Sequence, residues 1–290
     1  MRTKIVNGKV ITEDGIKNDA AVYIENGKIV EIKNDCPDKD WEIIDAKGLY
    51  VSPGLIDIHV HGCCNCDVMD KSLESIKTIS NGIKENGVTS FLPTTMTMSK
   101  EDIYEALDTI RESMNVKYNG AQILGAHLEG PFLNSKYKGA QSDEFIKVPN
   151  YSFIENYVDV IKIISYAPEV DENFNFTKEI KDKTDITLSI AHTNATYEEA
   201  KLAIKYGASN ITHLFNAMTP LNHREMGVVG AALTSDVFCE IICDNIHVNP
   251  ALFQFILKKL ADVNISKGTS DITPNTSKLR RYFLRLRVLK

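Results

Sequence analysis

The sequence predicts an α/β protein: a (β/α)8 TIM-type barrel, incomplete at its C-terminal end, with a small N-terminal β subdomain. Three observations predict it. From Leu55 onward, short apolar strand signals alternate with amphipathic helical stretches, the pattern of a parallel barrel rather than a sandwich. Polar residues stand at the C-terminal ends of those strands while the upstream halves are apolar, and that end is where a barrel gathers its βα loops. The N-terminal segment ahead of them reads as short strands broken by Asn-Gly, Asp-Gly and Lys-Gly turns.

Residues 1–51 form the expected small antiparallel β subdomain, from "KIVNGKVI", "AAVYIENGKIVEIK" and "WEIIDAKGLYV". Asn7-Gly8 and Asn26-Gly27 are hairpin signals, because a type I′ turn needs positive φ at both central positions. Pro53-Gly54 then punctuates the chain, and residues 52–290 form the barrel domain, truncated after about residue 265. Its strands are "LIDIHVHG", "TSFLPTT", "ILGAHLEGP", "VIKIISYAPE", "ITLSIAHTN", "NITHLFNAM" and "FCEIICDNIHV". Between them lie "SLESIKTISNGIKENG", "KEDIYEALDTIRESMN", "TYEEAKLAIKYG" and "NPALFQFILKKLA". Ser72, Ser99, Thr196 and Asn249 stand at helix starts, and Gly87 and Gly207 close two helices.

Composition narrows the function classes. A chain of 290 residues, 43% apolar and 25% charged, has the make-up of an ordinary globular protein with one large domain or a large domain and a small companion. A net charge of -6 argues against nucleic acid and anionic membrane surfaces as partners. No apolar run reaches the roughly 20 residues that span a bilayer, and "MRTKIVNGKVITEDG" has no signal-peptide core, so the expected location is cytoplasmic. Six cysteines do not make a disulfide framework. "CCNC" (Cys63, Cys64, Cys66) invites a zinc-cluster reading, but no second Cys/His pair follows at finger-like spacing, so reduced loop thiols are expected.

The chemistry gathers at strand ends. In "GLIDIHVHG", Leu55, Asp57, His59 and His61 share one strand face, and two imidazoles roughly 7 Å apart along a strand can converge on one cation. By itself the pair is a weak signal and reads more often as two satisfied histidines closing a buried strand. Glu129 ends the third strand, His192 tops the inward column Ile186, Leu188, Ile190, and His213 follows Ile211 on the sixth. Four histidines and a carboxylate at one barrel mouth predict a site for one or two divalent transition-metal ions. Their donors suit zinc, iron or manganese better than calcium or magnesium. His127 shares the face of Glu129 one layer deeper, where a structural hydrogen-bonding role is expected.

"PGLIDIHVHG" resembles the opening metal motif of the amidohydrolase superfamily. "GAHLEGPFLNSKYKGAQ", "SIAHTNATYEEA", "THLFNAMTPLNHREMGVVGAAL" and "ICDNIHVNP" are together similar to its N-acetylglucosamine-6-phosphate deacetylase family, in that family's order over residues 1 to 255. The resemblance implies a metal-dependent hydrolase that removes the 2-acetyl group of an N-acetylated amino-sugar phosphate in amino-sugar catabolism. It implies Glu129, His192 and His213 as the main metal ligands, with His59 and His61 completing a second site that members without the HxH pair do not fill. The substrate would lie against Ala140, Gln141, Asn216 and Ala217, with Arg224 and His247 meeting the 6-phosphate and Asp244, Asn245 and Ile246 forming part of that wall. A guanidinium suits phosphate, since its forked donors match the oxygens. His223 reads as a surface residue. Gln141 departs from one branch of the family, which has a histidine there to polarise the acetyl carbonyl; an amide N–H or a second metal ion would take over that task. A homodimer is also implied.

The match stops near the C-terminus. The family's general acid/base is an aspartate ending the eighth barrel strand, and here Asp271 in "TSDITP" stands at about that distance, behind "NISKGTS", a poor buried strand. The basic, apolar tail "KLRRYFLRLRVLK" reads either as an amphipathic helix or, preferably, as the product of a broken frame. A chain without barrel closure is expected to be poorly soluble or feebly active. The alternatives to an active deacetylase are a non-catalytic metal- or sugar-phosphate-binding remnant and another amidohydrolase such as a cyclic amidase.

Overall fold

The structure, a computed structural model, describes residues 1–36, 40–116, 118–261 and 283–287. These divide between Gly54 and Leu55 into two compact units.

The first unit holds seven short strands: β1 (Arg2–Val6), β2 (Lys9–Thr12), β3 (Gly15–Lys17), β4 (Ala20–Glu25), β5 (Lys28–Asn34), β6 (Glu42–Asp45) and β7 (Tyr50–Val51). They form two sheets, ordered β5-β4-β1-β6 and β3-β2-β7. Alternation along β4 gives each face its own core: Ala21 and Tyr23 pack with Val6 and Trp41, Ala20 and Val22 with Val10. The β4–β5 hairpin closes on Asn26 and Gly27, at φ 50° and 77°, as a type I′ turn requires.

Asn7-Gly8 does otherwise. No β1–β2 hairpin forms, because β1 pairs antiparallel with β4 and parallel with β6, while β2 pairs antiparallel with β3 and parallel with β7. The unit is therefore mixed, not purely antiparallel. Asn7 has φ 55°, but Gly8 does not share the positive φ, so half of the type I′ requirement is missing. Instead Asn7 Nδ2 donates to Asp45 Oδ1 at 3.0 Å, and a side chain at Gly8 would meet Val51 Cγ2. Asn7-Gly8 is where the chain crosses between sheets.

The second unit opens with β8 (Leu55–Val60) and the small hairpin β9 (Gly62–Cys63) and β10 (Cys66–Asp67). Then come α1 (Leu73–Lys84), β11 (Val88–Pro93), α2 (Lys100–Met114), β12 (Gln122–Ile123), β13 (Ala126–Glu129) and β14 (Ile161–Tyr166). The series continues with α3 (Asn175–Lys183), β15 (Thr187–Ile190), α4 (Tyr197–Tyr206), β16 (Asn210–Ile211), α5 (Gly227–Leu233), β17 (Phe238–Ile242), α6 (Pro250–Ala261) and β18 (Phe283–Arg287). Strands β8, β11 and β12 pair in parallel, as do β13 through β17, and a Thr94–His127 bridge joins the two sets. The result is a curled, incomplete parallel barrel.

Its core sits between strands and helices. Helix α1 buries Ile76, Ile79 and Ile83, and α2 buries Ile103, Leu107 and Ile110, both at helical spacing, against Phe91, Leu128, Ile164 and Leu188. Each such side chain contributes about 1.5–3 kcal/mol when fully buried. Ser99 caps α2 through the Asp102 N–H, and Thr196 with Glu199 makes a capping box on α4, which ends at Gly207 with φ 139°. Ser72 occupies the cap of α1 without a side-chain hydrogen bond. Sequence periodicity misses α5, since all seven of its residues are buried and no polar face marks it.

Two expectations meet structural corrections or limits here. Within the C-terminal tail, Phe283–Arg287 is a strand antiparallel to β17, not a helix; the alternation Phe-Leu-Arg-Leu-Arg has the two-residue period of a strand. Asp271 and the "NISKGTS" segment lie outside the described residues. The "CCNC" segment is a hairpin with Cys63 opposite Cys66 and both Cys64 and Asn65 at positive φ. All six cysteines are free, and none joins a potential ligand group among the described residues.

Candidate metal centre

Five side chains from four parts of the barrel meet at the C-terminal ends of its strands. His59 lies in β8 and His61 two residues on, so both face the same way, with their Nε2 atoms 3.2 Å apart. Glu129 is the last residue of β13 and is buried. His192 and His213 each follow their strand by two residues, with φ of 44° and 36°. Such left-handed backbone costs a non-glycine residue on the order of 1 kcal/mol and turns these side chains off the strand line; strain of this kind collects at functional sites.

Glu129 is the hub. Its Oε1 lies 3.4 Å from His59 Nε2 and 3.3 Å from both His192 Nε2 and His213 Nε2, while His61 Nε2 lies 3.1 Å from Oε2. His192 and His213 stand 3.1 Å apart at Nε2. Two ligand groups result, His59–His61–Glu129 and Glu129–His192–His213, sharing the carboxylate.

The rings are turned to present lone pairs. His61 Nδ1 sits 3.2 Å from the Thr94 carbonyl, His192 Nδ1 2.9 Å from the Tyr137 carbonyl, and His59 Nδ1 3.4 Å from Glu240 Oε2. Facing an acceptor, each Nδ1 carries a proton, so Nε2 is the atom that offers a lone pair to a metal once the ring is neutral. Three such nitrogens, His213 Nε2 and two carboxylate oxygens then crowd one another within 3.1–3.4 Å, an arrangement that metal cations at its centre would satisfy and that ring protons satisfy in their absence. The set of imidazoles and one carboxylate fits zinc, iron or manganese.

Titration in the absence of an ion reports the same crowding. Burial would raise the Glu129 carboxyl, but the facing His59, His192 and His213 hold it well below the usual range. Burial lowers His59, yet Glu129 and Glu240 outweigh it and push the ring up to about 10. Burial drives His213 down, with Glu129 compensating only in part. His127, fully buried, is pushed down to about 4 by burial and the neighbouring His59 charge. Its Nδ1 meets the Ile58 carbonyl and its Nε2 Ser165 Oγ, each at 2.8 Å, so it is a hydrogen-bonding residue beneath the centre.

The other residues singled out in the sequence are placed as follows. Gln141 is buried against the centre: its Nε2 donates to Glu129 Oε2 at 2.7 Å and its Oε1 accepts the Thr97 N–H at 2.7 Å. Ala140 is exposed on the same loop, whose Gly139 position lies beside the His192 ring. Asn216 is tied to the His213 carbonyl, and the carbonyl of Ala217 accepts from Thr193 N–H. Arg224 is exposed. Asp244 accepts from the Ile246 and His247 N–H groups and pairs with His247 Nδ1 at 2.6 Å, so it orients His247; Asn245, Ile246 and His247 are exposed. Sequence reasoning missed Glu240, fully buried in β17; the available signal was a carboxylate in the middle of the apolar run "FCEIIC".

Comparison with known proteins agrees with this geometry. The Amidohydrolase family pattern matches residues 50–287. The chain is 37% identical over 281 residues to N-acetylglucosamine-6-phosphate deacetylase of Bacillus subtilis, covering 93% of this chain and 69% of that protein. It is 38% identical over 256 residues to N-acetylglucosamine-6-phosphate deacetylase of Haemophilus influenzae, covering 86% and 66%. The crystal structure of N-acetylglucosamine-6-phosphate deacetylase from Pasteurella multocida matches with a TM-score of 0.81 at 33% identity, over 89% of this chain and 69% of that one. The chain thus spans about two thirds of the length of the relatives it matches.

Proposed function

We propose a function from the premise that the chain belongs to the amidohydrolase family, in its group of N-acetylglucosamine-6-phosphate deacetylases: it hydrolyses the 2-acetamido group of N-acetylglucosamine 6-phosphate, releasing acetate and glucosamine 6-phosphate. The observation that carries this reading is the pair of ligand groups sharing Glu129 at the strand ends. One or two zinc, iron or manganese ions held there would supply Lewis acidity and a water acidic enough to ionise near neutral pH.

The chain's own residues do the rest. Glu129 joins the two halves, and Gln141 holds its Oε2 in place. With its amide engaged by Glu129 and Thr97, Gln141 serves the carboxylate, and polarisation of the acetyl carbonyl would be supplied by the metal ions when bound. Arg224 and the Asp244-oriented His247 would meet the 6-phosphate, with Asn245 and Ile246 beside them and Ala140, Asn216 and Ala217 lining the sugar. A carboxylate must move the proton to the departing amine, which leaves poorly as an anion; Asp271 is the candidate from the sequence. A cytoplasmic homodimer with a small N-terminal β subdomain at residues 1–51 and the barrel at 52–290 completes the reading.

The test pairs acetate release from N-acetylglucosamine 6-phosphate with metal content in wild type and Glu129→Gln. Metal and acetate release lost together in the variant support the reading. Full metal content in Glu129→Gln would remove the centre from it.

A further inference from the structure

Beneath the metal centre the barrel interior holds a circuit of buried polar side chains where apolar layers are usual. His127 Nε2 meets Ser165 Oγ at 2.8 Å, Ser165 Oγ meets Thr212 Oγ1 at 2.9 Å, and Thr212 Oγ1 meets Ser189 Oγ at 2.5 Å. Asn210 Nδ2 donates to Ser189 Oγ at 2.9 Å and to Glu240 Oε1 at 2.6 Å. Glu240 Oε2 then faces His59 Nδ1 at 3.4 Å, and the His59 ring packs edge-on against His127 at 4.7 Å between centroids, which closes the circuit.

Glu240 is its one carboxylate, fully buried in the middle of β17. Burying a charge costs several kcal/mol unless it is paired, so an apolar residue would serve packing better at this position. Its two oxygens are divided: Oε1 is taken by the Asn210 amide, and Oε2 is left for His59. Of the four imidazoles in the centre, His59 alone has a carboxylate at Nδ1, at an ion-pair distance of 3.4 Å rather than in a formed hydrogen bond; His61 and His192 have backbone carbonyls, and His213 Nδ1 has no hydrogen-bond partner among the described residues. The two halves of the centre thus differ in how their rings are held.

We propose that Glu240 is a positioning residue for His59: it fixes Nδ1–H toward β17 and Nε2 toward Glu129, and so decides whether the His59–His61–Glu129 half retains its ion. The inference rests on the metal reading above. A carboxylate behind a ligating imidazole fixes its tautomer and raises its basicity, and losing one typically weakens metal binding by about 10- to 100-fold. The Glu129–His192–His213 half has no such link to Glu240 and should keep its affinity.

The test is a zinc titration of chelator-stripped wild type, Glu240→Leu and Glu240→Gln against a chromophoric competitor, with His61→Asn marking which binding step belongs to the His59 half. Glu240→Leu should weaken that step by about 10- to 100-fold and spare the other. Glu240→Gln should recover much of it: with the Asn210 amide flipped to accept from the new NH2 group, the Gln oxygen can still accept from Nδ1. Wild-type strength at both steps in Glu240→Leu overturns the proposal, as does equal loss at both steps in both variants, which marks general damage. Should Glu240→Leu fail to fold, ¹⁵N spectra of the zinc-loaded wild-type imidazoles decide: His59 protonated at Nδ1 supports the proposal, and the opposite tautomer overturns it. A wild type that takes up no zinc at either step removes the metal reading itself, and this inference with it.

Discussion

Gln141 grips Glu129: its Nε2 donates to Oε2 at 2.7 Å while its own Oε1 accepts the buried Thr97 N–H. One neutral amide therefore fixes the carboxylate on which both ligand groups depend. Gln141→Leu would strip that carboxylate of a hydrogen bond and leave the Thr97 N–H unsatisfied. A buried donor left without a partner costs about 1–3 kcal/mol. We expect a lower Tm and weaker metal uptake at both halves of the centre. Wild-type uptake at both would show that the four histidines fix Glu129 without help.

Metal uptake should release protons and strengthen as pH rises. With no ion, His59 stands at about 10 because Glu129 and Glu240 outweigh the effect of burial, so its ring is protonated near neutral pH. A ligating imidazole must be neutral, and each displaced proton makes apparent affinity climb about tenfold per pH unit until the free ring titrates. The climb should therefore continue past pH 7 toward about 10 for the half that contains His59. Zinc binding followed with a pH indicator in weak buffer measures the proton release directly. Uptake independent of pH above 7 would mean that His59 is not a ligand.

His127 should make the metal-free fold sensitive to acid. Its folded value, pushed down to about 4 by burial and the His59 charge, lies below its ordinary 6.5. The unfolded chain therefore binds the extra proton first, and stability falls as pH drops from 6.5 toward 4. Asp57 opposes this over part of the range, since burial raises it to about 6 and the folded form holds its proton longer. The contribution of His127 is the difference between wild type and His127→Asn in urea denaturation across that window. The variant should show a shallower loss toward acid, and parallel curves would mean that His127 does not carry the acid sensitivity.

What the sequence disclosed and what it hid follow from the range of each signal. The ligands were legible because a strand's two-residue period and the strand-end rule act locally: His59 and His61 share a face within three residues, and His192 tops its own apolar column. Glu240 was hidden because its meaning depends on Asn210 and His59, 30 and 181 positions away, which only the closing barrel brings to it. Asn7-Gly8 misled for a related reason. The dipeptide permits a type I′ turn, but the Asp45 and Val51 contacts that send the chain to a second sheet come from about forty residues downstream. The fully buried α5 carried no amphipathic stripe to read.

Substrate choice offers the sharpest test of the exposed residues. Arg224 presents its guanidinium in the loop before α5, and His247 is held by Asp244 through a 2.6 Å contact and two backbone N–H bonds to the same carboxylate. If these groups receive the 6-phosphate, each forms charge-assisted hydrogen bonds that free N-acetylglucosamine cannot offer. A hydrogen bond to a charged group contributes about 1.5–3 kcal/mol, which is roughly 10- to 100-fold in kcat/KM. Arg224→Ala should lower kcat/KM for the phosphorylated sugar by that factor and leave the weak use of the free sugar nearly unchanged. Asp244→Asn should act in the same direction more mildly, since it weakens the side-chain contact that orients His247. Equal losses on both sugars would place Arg224 in the support of its loop and take the phosphate from this wall of the barrel.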